Sequence, residues 1–197
     1  MLNLKYVQIF FIIAYLLTQI SCLEDRVESD NALVKMKDGR YKSPNGAFLI
    51  GFKKKVIPLE QKLPIANKEI NVVSYTQYEP TSARPEMVSQ VTYMNLLPGS
   101  IDELDENNLL NQIKVNTLSQ LGDYKIYDEH PVTTNGFPGI YVDAESNMKY
   151  GTIRIALEIF LVEDRVYNLL IYAPNQLPTK KKKDFFNSFQ LISQDIN

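Results

Sequence analysis

The hydrophobic pattern of the chain changes period along its length. Between residues 150 and 162, Ile153, Ile155, Leu157, Ile159 and Leu161 alternate with Thr152, Arg154, Glu158 and Phe160. A repeat of two is that of a strand, whose successive side chains point to opposite faces. Residues 165–173 are again apolar after the polar pair Glu163 and Asp164. The two runs predict an antiparallel hairpin with its tight turn at 163–164 or 164–165, placed centrally in a sheet by its long apolar run. Residues 70–78 and 87–96 are rich in β-branched and aromatic side chains and flank a stretch containing Pro80 and Pro85. They predict a second hairpin. Shorter strands are expected over 47–52, 56–57 before Pro58, 124–134 and 140–144. Gly136 and Gly139 would shape a turn around Pro138, and 145–148 would form another turn.

The spacing becomes three and four in residues 101–121. Leu110, Ile113, Thr117 and Leu121 form one stripe, widened by Leu109 and Leu118. Ser100 and Glu103 match a capping box. Asp102, Glu103, Asp105 and Glu106 suit the positive end of a helix dipole, and Gly122 stands where a C-terminal cap is wanted. A second helix is expected over 180–192, with Phe185, Phe186, Phe189 and Ile192 inward. Four lysines, Lys180 to Lys183, sit near its start, against the dipole, and are expected to be well exposed. The lysines at 53–55 read as a solvated face. The order of elements gives an α+β class: an antiparallel β-sheet flanked by helices, in two or three layers.

Length and composition narrow this picture. With 197 residues, 45% hydrophobic and 22% charged, the chain suits one globular domain. A formal net charge of -2 gives no reason to expect nucleic acid as a partner. Cys22 is the only cysteine, so no disulfide forms within the chain.

The N-terminal stretch has its own logic. Lys5 precedes an apolar run over 6–17, and Thr18, Gln19, Ile20, Ser21 and Cys22 follow. This is the size and order of a signal peptide, expected over 1–21. The uninterrupted apolar run is too short for about 30 Å of hydrocarbon. The residues before Cys22 resemble a bacterial lipoprotein signal, with a small residue, Ser21, directly ahead of the cysteine; Gln19 departs from the aliphatic residue preferred there. The resemblance implies lipid on Cys22 and attachment to a membrane. Cleavage near Ser21 or Cys22 to a soluble secreted product is the alternative. Residues 22–43, polar and carrying Glu24, Asp25, Glu28 and Asp30, read as the attachment site and a tether. The folded domain is expected over 44–197.

The second half carries a family resemblance. Phe137, Pro138 and Gly139 lead a strand; Arg165, Val166, Tyr167, Asn168 and Leu169 lie in the return strand of the long hairpin; Ala173 and Pro174 follow, then a helix with Phe185, Phe186, Asn187, Ser188 and Phe189. With the helix at 101–121, the chain resembles the PsbP-like superfamily, which includes Mog1 and small exported bacterial lipoproteins. The resemblance implies a central antiparallel sheet flanked by helices over roughly 40–192. It also implies a binding, assembly or accessory role without catalysis. No manganese or calcium ligand set of PsbP can be matched onto these residues.

Candidate chemistry is sparse. The single histidine, His130, has no nucleophile elbow to serve, and zinc of the Cys/His type lacks ligands. The acidic run at 102–106 has no EF-hand spacing. Asp143, Glu145, Glu158 and Glu163 are the carboxylates that a hydrolase would use, but nothing in the sequence pairs them across a cleft. No catalytic residue, metal ligand or cofactor is therefore expected. The sequence points to a non-enzymatic accessory or protein-binding lipoprotein of the cell envelope, with an unidentified envelope protein as partner. The alternatives are a carrier of a small apolar ligand or lipid, and an unrecognised hydrolase.

Overall fold

The protein is described by a computed structural model over residues 31–65, 68–79, 87–96, 105–148 and 151–192, with backbone alone at 63–65 and 68–69. The elements are β1 (Val34–Lys35), β2 (Tyr41–Lys42), β3 (Phe48–Ile50), β4 (Val56–Ile65), β5 (Lys68–Glu79), β6 (Met87–Asn95), α1 (Glu106–Gln120), β7 (Asp123–Thr134), β8 (Phe137–Met148), β9 (Gly151–Val162), β10 (Arg165–Pro174), α2 (Thr179–Ser188) and β11 (Gln190–Leu191). Seven strands form one antiparallel sheet in the order β4-β5-β6-β10-β9-β8-β7. A small sheet has the order β1-β2-β3-β11. The class is α+β, dominated by strands.

Both faces of the large sheet are covered, which is why its middle strands are apolar on both sides. The alternation in β9 sends Ile153, Ile155, Leu157, Ile159 and Leu161 into one core with Leu109, Leu110, Ile113, Leu118 and Leu121 of the α1 segment. Ala156 and Phe160 face the other core, which is aromatic and is closed by the small sheet and α2. There, Phe48 meets Tyr75, Tyr93, Tyr167 and Phe189 at ring separations of 5.6 to 6.2 Å. The expected hairpin of β9 and β10 lies in the middle of the sheet, with its turn at Glu163 and Asp164.

Several local expectations change. The short strand at 56–57 is ten residues long. β4 is an edge, and Pro58 and Pro64 are six residues apart, so both missing N–H groups face the same, unpaired side. The other edge, β7, contains Pro131, a bulge at Tyr127 and a row of charged side chains, all features that discourage further pairing. The turn before β8 is Asn135–Gly136, and Pro138 already lies in the strand. Gly139 is there for close approach: a Cβ would stand 2.4 Å from the Ile159 carbonyl oxygen. Residues 145–148 continue β8 because Ser146 is buried and its hydroxyl donates to the carbonyls of Leu121 and Asp123. The α1 cap is Asp105, whose side chain accepts from the Asn107 N–H; Ser100 and Glu103 lie outside the described residues. Gly122 takes φ +109° after the helix, as a C-terminal cap requires. The last helix stops at Ser188, where the chain turns extended and Gln190 and Leu191 pair with β3.

Two corrections bear on function. The part of the expected tether over 31–43 is folded. Asn31 is buried; its carbonyl accepts from the Tyr75 hydroxyl and its side chain donates to Glu60. Polar residues bind this segment where apolar ones are few. Lys180, Lys181 and Lys183 of α2 are exposed as expected, and Lys182 is not. Lys180 pairs with Asp184, Lys181 with Glu79, and the largely covered Lys182 with Asp143. These carboxylates offset the unfavourable dipole at the helix start. Cys22 and the segment 1–21 lie outside the described residues.

Candidate functional site

A cleft of about 480 Å³ opens where the β9–β10 turn meets the small sheet. That is within the size range of small-ligand sites. Arg165 is one of its lining residues. It begins β10, in register with Val162 of β9 and Asn95 of β6. Its Nε donates to Asn95 Oδ1 at 2.6 Å and its Nη1 to the Tyr167 hydroxyl at 3.2 Å. The guanidinium stands 5.2 Å from the Tyr93 ring centre and 5.9 Å from that of Tyr167. The Tyr167 hydroxyl in turn donates to the Gly46 carbonyl at 2.6 Å. Burial raises the Tyr167 hydroxyl above its usual range, with Arg165 opposing. The Arg165 side chain is therefore held by three residues, Asn95, Tyr93 and Tyr167, before any ligand arrives. Phe137, Leu96, Val162 and Leu191 supply apolar wall, and Glu163 and Asp164 add carboxylates.

The backbone around this cleft is strained. Among the described residues four non-glycine residues have positive φ, and Ala47, Asn135 and Glu163 of these line the cleft. Asn135 precedes Gly136 in an ordinary Asn-Gly hairpin turn. Ala47 and Glu163 have no such excuse. In the β9–β10 turn only Glu163 has positive φ, a position that favours glycine. Strain of about 1 kcal/mol per residue, kept where glycine would relieve it, is a mark of functional loops.

A second group of titratable residues lies on the sheet face beside α2. His130, Tyr141 and Glu158 form one row across β7, β8 and β9. The His130 and Tyr141 rings stack at 4.8 Å. In the next rows Arg154 pairs with Asp143 at 2.8 Å and with Glu145 at 3.6 Å, and Lys182 pairs with Asp143 at 2.7 Å. Burial pushes the Glu158 carboxyl up to about 7, with His130 pulling the other way. Of the carboxylates considered from sequence, Asp143, Glu145 and Glu158 thus share a face, and Glu163 stands apart in the cleft. Asp143 and Glu145 have basic partners, whereas the Glu158 carboxyl is the one that burial raises. His130 is half-exposed at the edge strand, with Asp128 3.3 Å away. Among the described residues, no three His, Cys, Asp or Glu side chains come together as a metal site. No helix among them is long and apolar enough to cross a membrane.

Sequence reasoning missed the cleft. Arg165 read as the first residue of a strand, and nothing along the chain links it to Ala47 or Leu191. The one available signal was a glutamate in a two-residue turn.

No family model matches the chain, and no curated protein matches it. Several solved structures resemble it in part. The protein of unknown function PA94 from Pseudomonas aeruginosa is 11% identical over 73% of this chain and 83% of its own, with TM-score 0.41. A protein from Bacteroides thetaiotaomicron is 9% identical over 79% of this chain and 48% of its own, with TM-score 0.47. LpqN, involved in cell envelope biogenesis of Mycobacterium tuberculosis, is 10% identical over 72% of this chain and 87% of its own, with TM-score 0.42. Likeness at this level carries no inference about the function of this chain, and the resemblance to the PsbP-like superfamily rests on its sequence motifs alone.

Proposed function

We propose that this chain is a non-enzymatic binding protein of the cell envelope. It is exported by the segment 1–21, held to a membrane by lipid on Cys22, and engages its partner through the Arg165 cleft. The observation that carries the binding role is the cleft itself: a fixed guanidinium beside an apolar wall, framed by strained residues that a purely structural turn would not keep. The mixed lining suits recognition of a group that is partly charged better than storage of a wholly apolar ligand. The neutralised carboxylates beside α2 give a hydrolytic reading little support.

The test is co-purification from native membranes of the wild-type chain and Arg165→Gln, with mass spectrometry of the bound proteins and of the mature N-terminus. The proposal expects an acylated Cys22 at the mature start and a specific partner that is lost from Arg165→Gln. A mature chain beginning after Cys22 overturns the anchor. A partner set unchanged by Arg165→Gln overturns the cleft as its site.

A further inference from the structure

The chemistry of the cleft narrows what it takes, given the reading above that it is a binding site. We infer that the cleft receives a peptide chain end: a free α-carboxylate at Arg165, with the terminal apolar side chain against Phe137, Val162 and Leu191. A guanidinium has five N–H donors. Asn95 and Tyr167 take one each, from Nε and Nη1. The remaining donors, on Nη1 and Nη2, form the planar end-on fork that matches a carboxylate with two parallel hydrogen bonds. Among the described residues no carboxylate pairs with Arg165, although Glu163 and Asp164 line the same cleft. Its binding fork is thus aimed by an amide and two tyrosines, none of which cancels its charge.

Glu163 sets the other half of the specificity. Its carboxylate would oppose an anion of high charge such as phosphate. It would tolerate a single carboxylate gripped by Arg165, and it would favour a basic residue a little way before the chain end. Glu163 is well placed for this because its positive φ fixes it at the tip of the turn. The apolar wall gives the last side chain an area to bury that a free inorganic anion does not use.

The test uses the full mature domain and fluorescein-labelled tetrapeptides read by fluorescence polarisation. The parent probe has a free C-terminal leucine preceded by one lysine. Its C-terminal amide and its lysine-to-glutamate version are the comparisons. We expect the amide to bind at least 10-fold more weakly, and the glutamate version several-fold more weakly. Arg165→Gln should erase the preference for the free carboxylate, while Arg165→Lys keeps part of it. Folding of both variants is checked by thermal melting. Equal binding of acid and amide by a folded wild-type chain overturns the inference, as does no binding at millimolar peptide. Displacement of the probe by inorganic phosphate at concentrations comparable with those of unlabelled peptide also overturns it. A partner that co-purifies through Arg165 while the peptides fail to bind would leave the binding site in place and reject the chain end alone.

Discussion

Replacing Glu158 with glutamine isolates the one carboxylate that the fold holds against its normal behaviour. Glu158 lies in β9 between Tyr141 and Leu169, on the face that α2 and the small sheet cover. Its carboxyl is pushed from 4.5 up to about 7, first by burial, with His130 opposing. A carboxyl whose folded value is raised binds its proton more tightly in the folded chain. The stability it contributes is therefore fully present below about pH 4.5 and is lost as pH rises through about 7. The full displacement corresponds to about 3 kcal/mol; partial exposure and screening by water reduce this to about 1–2 kcal/mol. Glutamine keeps the shape and cannot ionise. Urea denaturation of both chains at pH 5 and pH 8 measures the effect, because all other groups titrate in both proteins and cancel in the difference. Glu158→Gln should gain about 1–2 kcal/mol over the wild type between pH 5 and pH 8. An unchanged difference, or one that moves the other way, would show that the carboxyl is not strained by burial.

Other substitutions probe the rest of the fold. Phe48→Ala removes a fully buried ring from the centre of the aromatic core and should cost about 3–5 kcal/mol in chemical denaturation. Hydrogen exchange in the small sheet should rise with it. Glu129→Gln leaves the buried Lys114 ammonium without its ion pair and should cost about 1–3 kcal/mol. Lys114→Met, which removes the charge with the pair, should cost less in the same assay. Gly122→Ala forces a side chain onto φ +109° and sets its Cβ 2.5 Å from the Asn147 carbonyl oxygen; a loss of about 1–3 kcal/mol is expected in thermal melting.

The parts of this fold with a clean period could be read along the chain. The alternation of 150–162 and the stripe from Leu109 to Leu121 are set by which face meets the core, so the residues themselves report it. The edge strand could not be read in the same way. Pro58 and Pro64 break a strand that needs both of its ladders, but β4 needs only one. Residues 31–43 escaped for a different reason: they are held by a hydrogen bond from the Tyr75 hydroxyl to the Asn31 carbonyl and by one between the Ser43 and Tyr75 hydroxyls, which leave no hydrophobic signal. The cleft is the least legible feature. It gathers Ala47, Asn95, Asn135, Arg165 and Leu191 from five separate stretches, and only the small sheet folding back over the β9–β10 turn brings them together.

The claim that the Arg165 cleft is where this protein binds its partner is tested most directly by site-specific photo-crosslinking in the native membrane. Benzoylphenylalanine in place of Phe137 puts the reactive group on the cleft wall, and the same group in place of Asn111, exposed on α1 across the sheet, serves as control. The account predicts one discrete crosslinked product from position 137 that disappears when Arg165→Gln is added, and no such product from position 111. A product from 137 that persists with Arg165→Gln, or the same product from both positions, would contradict it.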